Sequence, residues 1–284
     1  MSASQESSDP YTLQCMDIWS GNQSSESEVT TPGLELLVYS QPYRGESRGG
    51  DVHYVSLCAG GIITRIVLAD VSGHGQAVAG TSQALRAVVR RFMNSKSQTR
   101  LVREINREFT NLTQSSRFAT AIVATYLAND GRLTLCNAGH PRPLWFQRST
   151  GQWHFVTQDL VGTGRISNLP LGFDASMTYQ QFSLTLEEGD IFVLYTDALT
   201  EARSPDNQLL GEEGLLKLVA TLPTSSVRDL NRGILEGLNQ FTDNQPADDD
   251  VTILVLRYVA SGWRMPTFKE KMNAYAKLVG LKSV

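Results

Sequence analysis

The chain has 284 residues, of which 41% are hydrophobic and 19% are charged, a composition typical of a globular protein with one large domain or two small ones. Its net charge of −4 argues against a nucleic-acid-binding protein, because such proteins usually carry a basic surface. No apolar run approaches the roughly 18 residues of a membrane span, and no signal-peptide pattern opens the chain. The three cysteines cannot form a closed disulfide framework, so we expect a cytoplasmic protein.

Residues 1–33 are rich in Ser, Thr, Glu and Gln, and this composition predicts a flexible leader or an arm that docks on the rest of the protein. From Leu34 the composition changes, and the sequence contains runs of apolar and β-branched residues. These runs predict strands over residues 34–40, 53–57 and 62–70, with a turn at Gly60-Gly61 between the last two. The main domain is therefore expected to span residues 34–258.

Helical spacing follows the first strands. Leu85, Val88 and Phe92 recur on one face of a helix predicted over residues 76–94, and a second helix is expected around residues 101–112. Asn129-Asp130-Gly131 is a strong hairpin signal between two further strands. The remaining predicted strands cover residues 118–127, 133–137, 144–147, 153–156, 179–186, 191–195 and 251–258, and the remaining helices cover residues 212–222 and 227–241.

The order of these elements favours an α+β fold. Strands come in hairpin-like groups and helices come in pairs, which favours antiparallel sheets with helices packed outside over a parallel βαβ array. The tail, residues 259–284, is basic and places Phe268, Met272, Tyr275 and Val279 on one helical face. We expect an amphipathic C-terminal helix there that docks on its own domain, and binding to a partner or contact with a membrane are the alternatives.

Four short aspartate motifs lie far apart in the sequence. They are Gly-Gly-Asp51, Asp70-Val-Ser-Gly-His-Gly, Tyr-Thr-Asp197 and Asp-Asp-Asp at 248–250. Three of them adjoin predicted strands, and strand-end carboxylates can meet at one edge of a sheet. Clustered carboxylates repel one another unless a cation neutralises them, and Mg²⁺ or Mn²⁺ favours such oxygen ligands. The motifs therefore predict a metal-dependent hydrolase.

Two further segments, Asn-Ala-Gly-His-Pro from Asn137 and Leu-Pro-Leu-Gly from Leu169, complete an ordered set. Together the six motifs resemble those of the PPM (protein phosphatase 2C-like) serine/threonine phosphatases, in the bacterial branch of sporulation and stress-response sigma-factor regulators. The resemblance covers roughly residues 34–258. It implies an α-β-β-α sandwich, in which two antiparallel sheets are flanked by helices.

The resemblance also implies a site for two Mn²⁺ or Mg²⁺ ions, and a third metal ion occurs in some relatives. Asp70 would bridge both ions and the backbone carbonyl of Val71 would be a further ligand. Asp197 and Asp249 would complete the other ion, with Asp250 as the second choice in its triplet. Asp51 would bind a metal or orient the bridging water. That metal-bound water, oriented by Asp51 and Asp70, would attack phosphorus without a protein nucleophile.

Two other residues have competing interpretations. His74 follows Asp70 by four residues, so it is a candidate for proton transfer, but loop stabilisation is the default because the family's general-acid position holds Ser72. Cys136 begins a Cys-x-x-Gly-x-x-Arg pattern, which also occurs in cysteine-dependent phosphatases. Pro141 removes a backbone amide that such a phosphate loop needs, so we expect Cys136 to be a buried strand residue.

The function expected from the resemblance is hydrolysis of phosphoserine or phosphothreonine on a protein. The implied partner is a phosphoprotein substrate of the anti-sigma-factor antagonist type. Two alternatives stay open at this point: a catalytically weak scaffold that binds a phosphoprotein, and a metal-dependent hydrolase of small phosphate monoesters or diesters.

Overall fold

The computed structural model describes residues 11–13, 18–58, 61–73, 77–93, 95, 97–113, 117–156 and 169–259. The strands in this part of the chain are β1 (Tyr11–Thr12), β2 (Ile18–Gly21), β3 (Ser25–Thr31), β4 (Leu34–Gln41), β5 (Val52–Cys58), β6 (Ile63–Val71), β7 (Ala119–Leu127), β8 (Arg132–Ala138), β9 (Leu144–Gln147), β10 (Gln152–Phe155), β11 (Phe182–Thr185), β12 (Ile191–Tyr195) and β13 (Val251–Tyr258). The helices are α1 (Ala79–Phe92), α2 (Gln98–Thr113), α3 (Gly211–Ala220) and α4 (Val227–Phe241).

The strands form two sheets. The seven-stranded sheet has the order β1-β3-β4-β13-β12-β9-β10, and the six-stranded sheet has the order β11-β8-β7-β6-β5-β2. Neighbouring strands are antiparallel, except that the two-residue β1 pairs in parallel with β3. The hairpins β5-β6 and β7-β8 account for much of the order of the six-stranded sheet, and β6 pairs with β7 after the chain has passed through α1 and α2.

The central strands are apolar on both faces because both faces are covered. In β12, Phe192 and Leu194 join one buried cluster, whereas Ile191, Val193 and Tyr195 join another. Successive side chains of a strand point to opposite faces, so this alternation separates two hydrophobic layers. A strand that is covered on both sides reads as a continuous apolar run.

Three buried clusters define the layers of the molecule. The first contains residues of both sheets and no helical residue, so it lies between the sheets. The second joins the six-stranded sheet to α1 and α2 through Leu85, Val89, Ile105 and Phe109. The third joins the seven-stranded sheet to α3 and α4 through Leu215 and Ile234 among others. The predicted α-β-β-α sandwich is confirmed.

The structure adds strands before Leu34. β2 pairs with β5 in the six-stranded sheet, and β3 pairs with β4 in the seven-stranded sheet. The sequence pattern does not indicate β3, because it carries a single aliphatic residue, Val29, among polar ones, and β2 is only four residues long. Residues 260–284, where a basic helix is expected, lie outside the described part of the chain. Among the described helices, none combines the length and apolar character needed to cross a membrane.

Candidate metal centre

The strand registers bring the aspartate motifs to one edge of the sandwich. In the seven-stranded sheet, Gln41 at the end of β4 lies opposite Val251 at the start of β13, and the last residue of β12 lies opposite the third residue of β13. In the six-stranded sheet, Val52 at the start of β5 lies opposite Ala69 near the end of β6. The β4–β5 connection crosses between the sheets at this edge. The same edge therefore carries Asp51, Asp70, Asp197, Asp249 and Asp250.

Asp51 is buried, and its carboxylate is only partly hydrogen-bonded in the described part of the chain. Its side chain is 3% exposed, and its Oδ2 accepts a hydrogen bond from Thr196 Oγ1 at 3.0 Å. Its Oδ1 is buried without a hydrogen-bond partner in the described part of the chain. Burial raises the pKa of Asp51 well above its usual range, and the charge of Asp70 raises it further. A buried, partly unsatisfied carboxylate of this kind fits a cation ligand.

Asp70 and Asp197 interact electrostatically at this edge. Burial raises the pKa of Asp70 to about 8, and the negative charges of Asp197 and Asp249 contribute next. Burial also raises the pKa of Asp197, followed by the charges of Glu201 and Asp249. Each carboxylate therefore makes the others harder to ionise. A divalent cation would reverse that penalty by favouring every charged form.

The three aspartates at positions 248–250 lie in three different environments. Asp248 is exposed and Asp249 is half-buried. Asp250 is buried, and both its oxygens accept backbone hydrogen bonds at 2.7 Å, Oδ1 from Tyr43 N and Oδ2 from Gly50 N. Asp249 is thus the member of the triplet whose charge acts on both Asp70 and Asp197, while Asp250 bonds the neighbouring loop.

The loop that follows β6 packs tightly against the Gly49-Gly50-Asp51 loop. A Cβ on Gly50 would lie 3.1 Å from the carbonyl oxygens of both Val71 and Gly73, so glycine permits this close approach. The carbonyl oxygen of Val71 therefore lies beside the loop that ends in Asp51. Arg117 Nη1 donates to the Ser72 carbonyl at 3.0 Å and fixes the outer side of this loop. His74 lies outside the described residues.

The donor set fits a hard divalent cation. It consists of carboxylate oxygens and a backbone carbonyl, the ligand types that Mg²⁺ and Mn²⁺ prefer. Within the described chain, Asp51, Asp70 and Asp197 form no ion pair with a lysine or arginine. As the described side chains lie, no three of the type His, Cys, Asp or Glu are close enough to hold a metal ion. The carboxylates therefore raise one another's pKa, but their side chains are not positioned close enough together to hold a cation.

Comparison with known proteins agrees with this geometry. Residues 63–259 match the family model of stage II sporulation protein E (SpoIIE). The chain belongs to the SpoIIE family. The residues matched include Asp70, Asp197 and Asp249, and the resemblance predicted from the sequence motifs is confirmed.

Individual relatives are similar over the same region. Phosphoserine phosphatase RsbU of Bacillus subtilis (strain 168) is 29% identical over 197 residues, which are 68% of this chain and 55% of RsbU. The RsbU and RsbW domains of Rv1364c from Mycobacterium tuberculosis superpose with a TM-score of 0.68 at 24% identity, covering 85% of this chain and 64% of that one. The catalytic domain of serine threonine protein phosphatase PstP, in complex with two manganese ions, gives a TM-score of 0.54 at 20% identity, covering 80% of this chain and 98% of that one. The chain spans about half the length of the curated relatives it matches.

Cys136 lies in a different environment from a nucleophilic thiol. It is 1% exposed within β8, where it pairs with Val123, and burial raises the pKa of its thiol to about 12. A thiol of this kind is protonated at neutral pH, so it is a poor nucleophile. The expectation of a buried strand residue agrees with the structure, and this SpoIIE-family chain does not present a cysteine phosphate loop.

Several residues around the centre were not predicted from the sequence. Glu201 raises the pKa of both Asp70 and Asp197, and it lies four residues after Asp197 on a helical turn. That spacing could have indicated it, because residues four apart share a helix face. Thr196 bonds Asp51, and Asn22 contacts Gly49 from 27 residues away. No sequence pattern indicates the Asn22 contact, since it depends on how two chain crossings pack together.

Proposed function

We propose that the protein is a metal-dependent phosphatase that hydrolyses phosphoserine or phosphothreonine on a protein substrate in bacterial signalling. The observation that carries the proposal is the location of Asp51, Asp70, Asp197 and Asp249 at one edge of the sandwich, together with a buried oxygen of Asp51 that has no hydrogen-bond partner in the described part of the chain. Membership of the SpoIIE family supports the same function.

The proposed site holds two Mn²⁺ or Mg²⁺ ions through Asp51, Asp70, the Val71 carbonyl, Asp197 and Asp249. When bound, such ions lower the pKa of a shared water toward 7 and bind phosphoryl oxygens. The residues of the chain position the ligands for this chemistry. Thr196 donates to Asp51 and so fixes its Oδ2, leaving the other oxygen for the cation. The Gly50 and Val71 backbones in close contact keep the two motif loops together.

The substrate class follows from the relatives and from the site. RsbU carries the name phosphoserine phosphatase, and the manganese complex of PstP is that of a serine threonine protein phosphatase. The proposal extends this class of substrate to the present chain. As the family resemblance implies, the phosphoprotein would be a small anti-sigma-factor antagonist, encountered in the cytoplasm.

The proposal is tested by measuring hydrolysis of a phosphoserine peptide and of an aryl phosphate with Mn²⁺, with Mg²⁺ and with EDTA. Asp70→Asn and Asp197→Asn should each abolish Mn²⁺-dependent turnover, and Cys136→Ser should retain it. Turnover that survives EDTA and disappears in Cys136→Ser would overturn the proposal. Mn²⁺-dependent hydrolysis confined to nucleotides or diesters would replace the proposed substrate class with small molecules.

A further inference from the structure

The Gly49-Gly50-Asp51 loop is bound through its backbone by segments far away in the sequence. The N–H of Gly49 donates to the carbonyl of Asn22 at 2.9 Å, and Nδ2 of Asn22 donates back to the carbonyl of Gly49 at 3.3 Å. The hydroxyl of Ser82 on α1 donates to the same carbonyl at 2.8 Å. Both hydrogen-bonding groups of the Gly49 backbone are therefore occupied.

Asp250 binds Gly50 in this loop and also Tyr43, which lies near the start of the connection between β4 and β5. Its two oxygens accept from Gly50 N and Tyr43 N, each at 2.7 Å. Hydrogen bonds to a carboxylate are stronger than those between neutral groups. A Cβ on Gly49 would lie 2.4 Å from Oδ1 of Asp250, so the carboxylate can approach this closely only where the residue is glycine. Asp250 thus spans the connection between β4 and β5.

Asn22 reaches the loop because two chain crossings lie side by side. The turn between β2 and β3 passes from the six-stranded sheet to the seven-stranded sheet, and the connection from β4 to β5 passes in the opposite direction. Asn22 lies in the first crossing and is 3% exposed. The N-terminal strands therefore contribute a buried side chain to the loop that ends in Asp51.

We propose that Asn22 and Asp250 are positioning residues: they fix the Gly49-Gly50 backbone and thereby hold the buried carboxylate of Asp51 in place for a divalent cation. This inference rests on the proposed function and deepens it. Oδ1 of Asp51 has no hydrogen bond in the described chain, so its position depends on the hydrogen bonds to the rest of the carboxylate and on the backbone that carries it. The segment around β2 and β3 is consequently part of the catalytic unit.

The test compares Mn²⁺ binding by the full chain and three variants, using isothermal titration calorimetry. Asn22→Ala removes one donor to Gly49 and should weaken Mn²⁺ binding by about 5- to 10-fold. Asp250→Asn replaces one of two acceptors with a donor and should weaken binding by about 10- to 100-fold. Asn129→Ala, on the exposed turn between β7 and β8 at the far end of the sheet, is the matched control and should bind like the wild type.

A second readout separates positioning from a loss of fold stability. Hydrolysis of an aryl phosphate should need more Mn²⁺ in both variants, yet the kcat at saturating Mn²⁺ should stay within about threefold of the wild type. Mn²⁺ affinities equal to that of the wild type, with only a lower melting temperature in EDTA, would overturn the inference and leave the proposed function intact. If Asp250→Asn lost Mn²⁺ binding completely while Asn22→Ala bound Mn²⁺ as tightly as the wild type, Asp250 would be a metal ligand. That result would also overturn the inference. A folded wild type without Mn²⁺ binding or hydrolysis would remove the proposed function itself.

Discussion

Asp70→Asn should stabilise the metal-free protein although it abolishes the proposed activity. The pKa of Asp70 rises to about 8 in the folded state from 3.8, chiefly through burial and then through Asp197 and Asp249. Between these two values the folded protein binds more protons than the unfolded chain, so stability falls as the pH rises through this window. At 1.36 kcal/mol per pH unit, the ionisable carboxyl costs at most about 4 kcal/mol at pH 7 and about 2 kcal/mol at pH 5.

The measurement is urea unfolding in EDTA at pH 7 and at pH 5. Since an amide is also costly to bury, we expect Asp70→Asn to gain between about 2 and 4 kcal/mol at pH 7, and less at pH 5. Asp206→Asn, at an exposed carboxyl, is the control and should change stability little at either pH. With saturating Mn²⁺ the order should reverse, because a cation that binds the folded state stabilises the wild type. A variant that is less stable than the wild type in EDTA at pH 7, or that gains equally at both pH values, would refute the electrostatic argument.

Three further predictions concern the framework of the site. Burial lowers the pKa of His140 to about 3, so the contribution of His140 to stability should fall by up to about 2 kcal/mol as the pH falls from 6.5 to 5, and in urea titrations the stability of His140→Gln relative to the wild type should rise over this range. The buried thiol of Cys136 should resist a disulfide reagent in the native protein and react only after unfolding; rapid native labelling would contradict the pKa of about 12. Gly172→Ala should cost at least about 2 kcal/mol in urea unfolding, because Gly172 has a φ of +89° and a Cβ there would lie 2.8 Å from the Arg117 carbonyl. Gly80→Ala in α1, where nothing lies within 4 Å of the new Cβ, is its control and should be neutral or slightly stabilising, and equal effects at the two glycines would contradict this reasoning.

Much of the layered fold could be predicted from the sequence because its core strands carry strong local signals. The run at β12 is apolar throughout and the run at β13 is mainly apolar, and the structure has both over the predicted residues, Ile191–Tyr195 and Val251–Tyr258. The helix α4 also begins and ends as predicted, since Ser226 caps its first turn and its apolar residues recur at helical spacing. Where the local signal was weak, the prediction was less accurate. The strand expected over residues 179–186 is limited to Phe182–Thr185, which is half-exposed beside β8.

The candidate site, like the fold, could be predicted from the sequence only in part. The aspartates that adjoin strands could be found from the sequence, because a strand end fixes where its next residue lies relative to the sheet. The roles of Asp249 and Asp250 needed the structure, since only the loop packing shows that Asp250 accepts from Tyr43 N and Gly50 N. The contact between Asn22 and Gly49 could not be inferred, because β3 carries little hydrophobic pattern and the contact joins two separate crossings.

The most direct test of the proposed metal centre is anomalous diffraction at the manganese edge from crystals grown with Mn²⁺. The account predicts two peaks about 3.5–4 Å apart, in contact with Asp51, Asp70, Asp197, Asp249 and the Val71 carbonyl. It also predicts that Asp250 keeps its bonds to the Gly50 and Tyr43 amides. Manganese bound elsewhere, or no peak at this edge of the sandwich in crystals of an active protein, would contradict the account.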